Sequence, residues 1–261
     1  MIAMQQVSVP TNESLERVSG VFDPRLLLAA LGAFALGYIV LPALGALVGH
    51  WGGKEPWATF LGGLPVVIGP LVSVAAVLGL TWNFCGSFRK AWQLLGFKQF
   101  PVRMLWYAFP LAFLLMAAGG AVTLLWNWAG EACNFKFTVP PTVEAALSGN
   151  SWCLTALLVT ALLAAPFFEE ILFRRALYGA LRQFLPGAAA GALAALAFAA
   201  MHMSLLQLPG LWLIGGVWQL IYCRSDNLYK SVILHFFNNV IAAIMLLLVR
   251  YAGLEATILS L

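Results

Sequence analysis

The chain alternates long apolar runs with short polar breaks. Apolar residues fill about 26–50, 57–82, 104–128, 152–173, 188–206, 208–223 and 228–250. Each run is apolar on every face and lacks the two-residue alternation of a half-buried strand. A helix needs ~20 apolar residues to cross a bilayer. Inside lipid every backbone polar group must be satisfied internally, so helices or closed barrels are the available structures. The pattern therefore predicts an all-α fold, a polytopic transmembrane helix bundle of seven spans. An eighth span would move the C-terminus to the other side. The run 208–223 contains Gly215 and Gly216 and predicts a short or tilted helix. Three regions follow: a polar tail over 1–25, three transmembrane helices over 26–128, and a core of about four helices over 150–250.

Composition narrows the class. Hydrophobic residues make up 62% of the 261 and charged residues 9%, with a mean hydropathy of +0.90. A soluble domain carries roughly a quarter charged residues. A water-soluble globule, a disordered chain and a nucleic-acid binder are excluded, and the expected surroundings are the lipid bilayer. The net charge of +4 follows from topology. With the N-terminus placed in the cytoplasm, 11 of the 14 basic residues fall inside and three, Lys54, Lys136 and Arg250, fall outside. That is the positive-inside bias. Tryptophans such as Trp51, Trp82 and Trp126 sit near span ends, as in an interfacial belt. Gly45 with Gly49, and Gly187 with Gly191, form GxxxG pairs that suit close helix packing. The isolated cysteines form no CxxC pair and imply no disulfide framework.

Ionisable residues within spans are functional candidates. Glu169 and Glu170 follow directly on an apolar run, and His202 and His235 lie in two others. Glu170 and Arg174 are four residues apart, so their side chains can pair on a helix. Glu169 points about 100° away from Glu170 and is free to face another group. Pro166 removes one helix hydrogen bond just before the pair. His235 and Asn239 share one helix face, and Phe198 and His202 repeat that spacing on another.

Taken singly, each has a bland reading: an ion pair, a core histidine, a polar clamp between helices. Taken together, three spans supply a base, an imidazole and two hydrogen-bond donors. A carboxylate and an imidazole can hold one water, with the carboxylate as general base. A His and an Asn on one face can donate to a developing oxyanion. No GxSxG elbow and no HExxH motif is present. A metal held by Glu169, His202 and His235 stays open by ligand type. Asn239 would be a weak zinc ligand, which favours a scheme with no cofactor and leaves zinc as the alternative.

Three motifs carry a family resemblance. Glu169-Glu170-Ile171-Leu172-Phe173-Arg174 reads EExxxR, Phe198 to His202 reads FxxxH, and His235 to Asn239 reads HxxxN. In this order on successive helices, over about 150–245, the chain resembles the CAAX protease and bacteriocin-processing family, also called Abi. The eukaryotic type II CAAX prenyl endopeptidase is a member. The resemblance implies an intramembrane glutamic endopeptidase, a hydrolase cleaving peptide bonds. Glu169 would activate water, His202 would share it, and His235 and Asn239 would form the oxyanion site. Glu170, Arg174 and Phe198 would support them. Members of the family have also been described as metalloproteases. One departure is Arg175, where glycine is common after the Phe-Arg pair.

The implied partner is a peptide or protein substrate at the membrane: a prenylated CAAX protein, a leader peptide or a bacteriocin. The implied place is the plasma membrane of a prokaryote, with the site toward the cytoplasm. The alternative is a non-catalytic binding or bacteriocin-immunity protein on the same fold. A proton-relay transporter is disfavoured because no repeated halves or paired broken helices are visible.

Overall fold

A computed structural model describes residues 23–52, 56–148 and 151–254, all helix and connecting turn. Nearly all of the polar tail expected over 1–25 lies outside the described residues. The first helix, α1 (Pro24–Gly52), begins where the tail was expected to continue. Asp23 is its N-cap and accepts from the Arg25 backbone N–H at 2.9 Å, with Pro24 as the first helical residue. The Arg25 side chain also donates to Asp23 and holds its carboxyl below the usual carboxylate range.

The chain continues through α2 (Pro56–Cys85), a short α3 (Phe88–Leu94), α4 (Val102–Ala132) and α5 (Pro141–Ser148). Then come α6 (residues 151–181), α7 (Gly187–Met201), α8 (Leu208–Ser225) and α9 (Leu228–Tyr251). Among the described residues five helices are long and apolar enough to cross a membrane: those of α1, α2, α4, α6 and α9. The apolar run expected over 188–206 yields only the 15 residues of α7. Helix α8 has 18 residues, but Gln219, Arg224 and three glycines dilute its hydropathy.

Packing explains which helix is central. More than half of the apolar window of α6 is buried, against a third or less in the other four. Helix α1 lies along α2, α7 along α8, and α4 against both α8 and α9. Leu28, Trp106, Leu114 and Leu124 point outward and are mostly exposed. An outer surface of that kind suits lipid.

Two close helix approaches use glycines outside the GxxxG pairs. Gly37 of α1 meets Gly69 and Ser73 of α2, and Gly119 of α4 meets Gly210 of α8. Gly49 faces open space, and Gly191 faces the stem of Gln219. Ser73 Oγ donates to the Ala33 carbonyl at 2.8 Å, which ties α1 to α2 beside the contact. Gly37→Val would push a branched side chain into the α2 backbone. Thermal unfolding in detergent should show a loss of about 1–3 kcal/mol. An unchanged melting curve would mean that the two helices do not meet there.

Three π-helical turns interrupt these helices, at Ala35–Val40 in α1 and at Thr160–Ala164 and Ile171–Leu177 in α6. Such turns often mark functional sites. The two in α6 flank Ala165–Glu170, which carries both glutamates.

Candidate active site

The glutamate pair sits deep in α6. Glu169 is 5% exposed, and Glu170 and Arg174 are fully buried. Arg174 Nε donates to Glu170 Oε2 at 3.1 Å, one turn along the helix. The two charges cancel, which is the condition for keeping either of them out of water. Above the pair the Arg174 guanidinium lies 4.8 Å from the centre of the Phe198 ring, a cation–π contact. Gly215 of α8 makes room for this arrangement. A Cβ there would lie 2.9 Å from Phe198 Cδ1 and 3.5 Å from Arg174 Nη2.

Glu170 has a second partner. Its Oε1 lies 3.1 Å from His235 Nδ1. An ionised carboxylate only accepts, so Nδ1 carries the hydrogen. The other ring nitrogen, Nε2, then turns toward Glu169, 3.8 Å from its Oε2. That distance is beyond a hydrogen bond. Trp218 stacks on the imidazole at 4.5 Å between centroids, and Phe198 meets it edge-on at 5.7 Å. His235 is thereby fixed in position, with Nδ1 facing Glu170 and Nε2 facing Glu169.

His202 ends α7 as its C-cap, and Met203 follows in the left-handed region at φ 52°. His202 Nδ1 lies 3.0 Å from the Phe198 carbonyl oxygen, which can only accept. Nδ1 therefore donates, and in the neutral ring Nε2 is left as an acceptor. The Phe198 ring packs against His202 at 5.0 Å.

Asn239 is placed differently. Its Nδ2 donates to the Ala161 carbonyl at 2.7 Å, on α6 well before Glu169. The π turn explains why that carbonyl is free. The Ala165 N–H bonds to Thr160, and the next residue, Pro166, has no N–H to give. One amide hydrogen of Asn239 is held there, and the second remains to donate.

Glu169, Glu170, Arg174, Phe198 and His235 thus form one buried cluster, with His202 at its edge and Asn239 anchored on α6. No group of three or more His, Cys, Asp or Glu side chains suited to a metal ion occurs among the described residues. His235 Nδ1 is taken by Glu170, which leaves that ring one nitrogen for other work.

Residues 151–241 match the family model described as type II CAAX prenyl endopeptidase Rce1-like. The likeness covers 91 of the 261 residues. The match takes in α6, α7, α8 and the first half of α9, and so includes every candidate residue of the cluster. It supports assignment to the CAAX protease family, whose activity is that of a membrane protease acting on peptides or proteins. No curated protein matches the chain, and no solved structure does.

Two residues against this Rce1-like site were absent from the sequence expectation. Trp218 covers the His235 ring, and Tyr38, outside the matched segment, stacks on Phe168, the residue before Glu169. Both carry a polar atom in the middle of an apolar run rather than at its end. That position was the available signal, because tryptophan and tyrosine favour span ends. Arg175 donates from Nε to the Leu94 carbonyl at 2.6 Å. The arginine that departs from the common motif therefore ties α6 to the end of α3.

Proposed function

We propose that the protein is an intramembrane endopeptidase that cleaves peptide bonds with a water activated by Glu169 and His202. The observation that supports this most is the state of Glu169. Its carboxylate is buried, its Oε2 has no hydrogen-bond partner, and it faces His235 across 3.8 Å. A structural carboxylate at that depth would be tied to donors, as Glu170 is.

The water donates one hydrogen to Glu169 and the other to His202 Nε2. Glu169 takes the first proton as the water oxygen attacks the peptide carbonyl carbon. The carbonyl oxygen gains the charge and is met by His235 Nε2–H and the second amide hydrogen of Asn239. Glu170 compensates the imidazolium form of His235 through Nδ1–H. The proton on Glu169 then passes to the amide nitrogen, the C–N bond breaks, and an amine and a carboxylic acid leave. Glu170, Arg174 and Phe198 hold the cluster, and Trp218 shields the imidazole from lipid.

The reading extends to topology. The bundle has seven spans, with α7 and α8 as short ones and the N-terminus in the cytoplasm. One basic residue must be withdrawn from the loop charges, because Arg174 is buried with Glu170. Ten against three still favours that orientation. The site then lies toward the cytoplasmic side of the plasma membrane. A prenylated CAAX protein is the substrate class that the matched family suggests. The region 150–250 is the catalytic core, and the three spans over 26–128 surround it.

The scheme uses no metal. Purified protein in vesicles should cleave a fluorescence-quenched peptide with a prenylated CAAX end at the same rate with or without a strong chelator. Loss of cleavage on chelation, restored by zinc, would replace this chemistry with a metal-dependent one.

A further inference from the structure

We infer that Tyr38 on α1 is a positioning residue for Glu169, its phenolic O–H being the donor that holds the free Oε2. The inference rests on the reading of Glu169 as the base. It assigns a part of the site to a helix outside the Rce1-like segment.

The geometry begins with the ring. Tyr38 is stacked between Phe34 at 5.2 Å and Phe168 at 5.5 Å, with interplanar angles of 19° and 22°. Phe168 is the residue before Glu169, so the stack brings the Tyr38 ring to the turn of α6 that carries the carboxylate. The stack leaves the ring little freedom. Its backbone is held as well. Tyr38 lies in the π turn Ala35–Val40, and its neighbour Gly37 is pressed against Gly69 and Ser73 of α2. The hydroxyl therefore has a fixed direction.

Chemistry then names its partner. Tyr38 Oη is buried and meets no hydrogen-bond partner, and Glu169 Oε2 is in the same state. One is a donor without an acceptor and the other an acceptor without a donor. The electrostatic neighbour of the hydroxyl is Glu169. The other charged or titratable groups acting on Glu169 are His235, His202, Glu170 and Arg174. Glu170 is already bonded to Arg174 and His235, and His202 to Phe198. A phenylalanine would fill the same stack without burying a polar atom, and a lone hydroxyl in an apolar span is costly. The hydroxyl is accounted for by a carboxylate that needs one donor from the side away from His235. Held there, Glu169 keeps one lone pair aimed at the water.

Two measurements on the full chain in detergent test this. The first is infrared spectroscopy of the Tyr38 C–O stretch, identified by its loss in Tyr38→Phe. Glu169→Ala removes the acceptor and should shift that band, while an unshifted band overturns the proposal. This readout does not depend on proteolysis. The second follows cleavage of the prenylated CAAX-ended peptide. Tyr38→Phe should lower kcat roughly tenfold, the loss expected for one hydrogen bond to a charged group. KM should stay within about twofold. Placing 4-aminophenylalanine at position 38 restores a donor and should recover the rate, whereas 4-methylphenylalanine should not. Wild-type kcat in Tyr38→Phe, with Glu169→Gln inactive, overturns the role of Tyr38 alone. Cleavage by Glu169→Gln at the wild-type rate overturns the base itself, and the band shift then still decides the contact.

Discussion

Replacing Arg174 by leucine is expected to cost about 3–5 kcal/mol of stability. Arg174 and Glu170 are both fully buried, and the guanidinium lies 3.1 Å from that carboxylate. Without it Glu170 must either remain charged in an apolar core or take up a proton. A buried charge that loses its partner is among the most damaging changes a core can suffer. Net stabilities of folded proteins are about 5–15 kcal/mol, so the loss is a large part of the whole. Thermal unfolding in detergent should show it directly. The double variant Arg174→Leu with Glu170→Leu should regain much of the stability, because both charges are then gone. It should not regain cleavage, since His235 Nδ1 loses the carboxylate that orients it. Melting of Arg174→Leu within a degree or two of wild type would mean that Glu170 is not a buried anion.

Glu169→Gln is the second large effect, and it falls on rate rather than stability. The amide has nearly the shape of the carboxylate and cannot take a proton from water. Removing a general base lowers rate by roughly 10² to 10⁴-fold. The fold should be untouched, because the amide keeps the shape of the side chain and one oxygen that can still accept a hydrogen bond. The His235 contact at 3.8 Å is long enough to absorb the change. Single-turnover cleavage of the prenylated peptide is the measurement, with a melting curve as the control. A rate within twofold of wild type would remove Glu169 from the mechanism.

The helices were largely legible from hydropathy, and the departures have physical causes. The run expected to end at 173 continues to Leu181 as helix. A pattern reading takes Arg174 and Arg175 as the edge of a loop. In the fold Arg174 is neutralised by Glu170, one turn before it, and Arg175 donates a hydrogen bond to a carbonyl of α3. The run over 188–206 reads as one span because Met201, Met203, Leu205 and Leu206 are apolar. The helix stops at Met201, since His202 caps it and Met203 turns into the left-handed region. Hydropathy carries no information about such a turn.

The cluster was legible in part. The spacing of Glu170 and Arg174 corresponds to the buried pair, because a four-residue interval is fixed by the helix itself. Partners on different helices were not legible. That Glu170 also reaches His235 depends on how α6 crosses α9, and no local spacing encodes it. Asn239 shows the reverse case. Its interval from His235 puts both on one face, but the carbonyl freed by the π turn and Pro166 draws the amide to Ala161. Tyr38 lay beyond the motifs because its tie to Glu169 runs through a stack with Phe168 on another helix.

The most direct test compares the peptide termini present in host membranes carrying the wild-type chain or Glu169→Gln at equal levels. The account predicts termini in the wild-type sample that are missing from the variant, on proteins cut near the cytoplasmic face. Identical sets of termini, with both chains inserted and folded, would contradict it and point to a binding protein on the same fold.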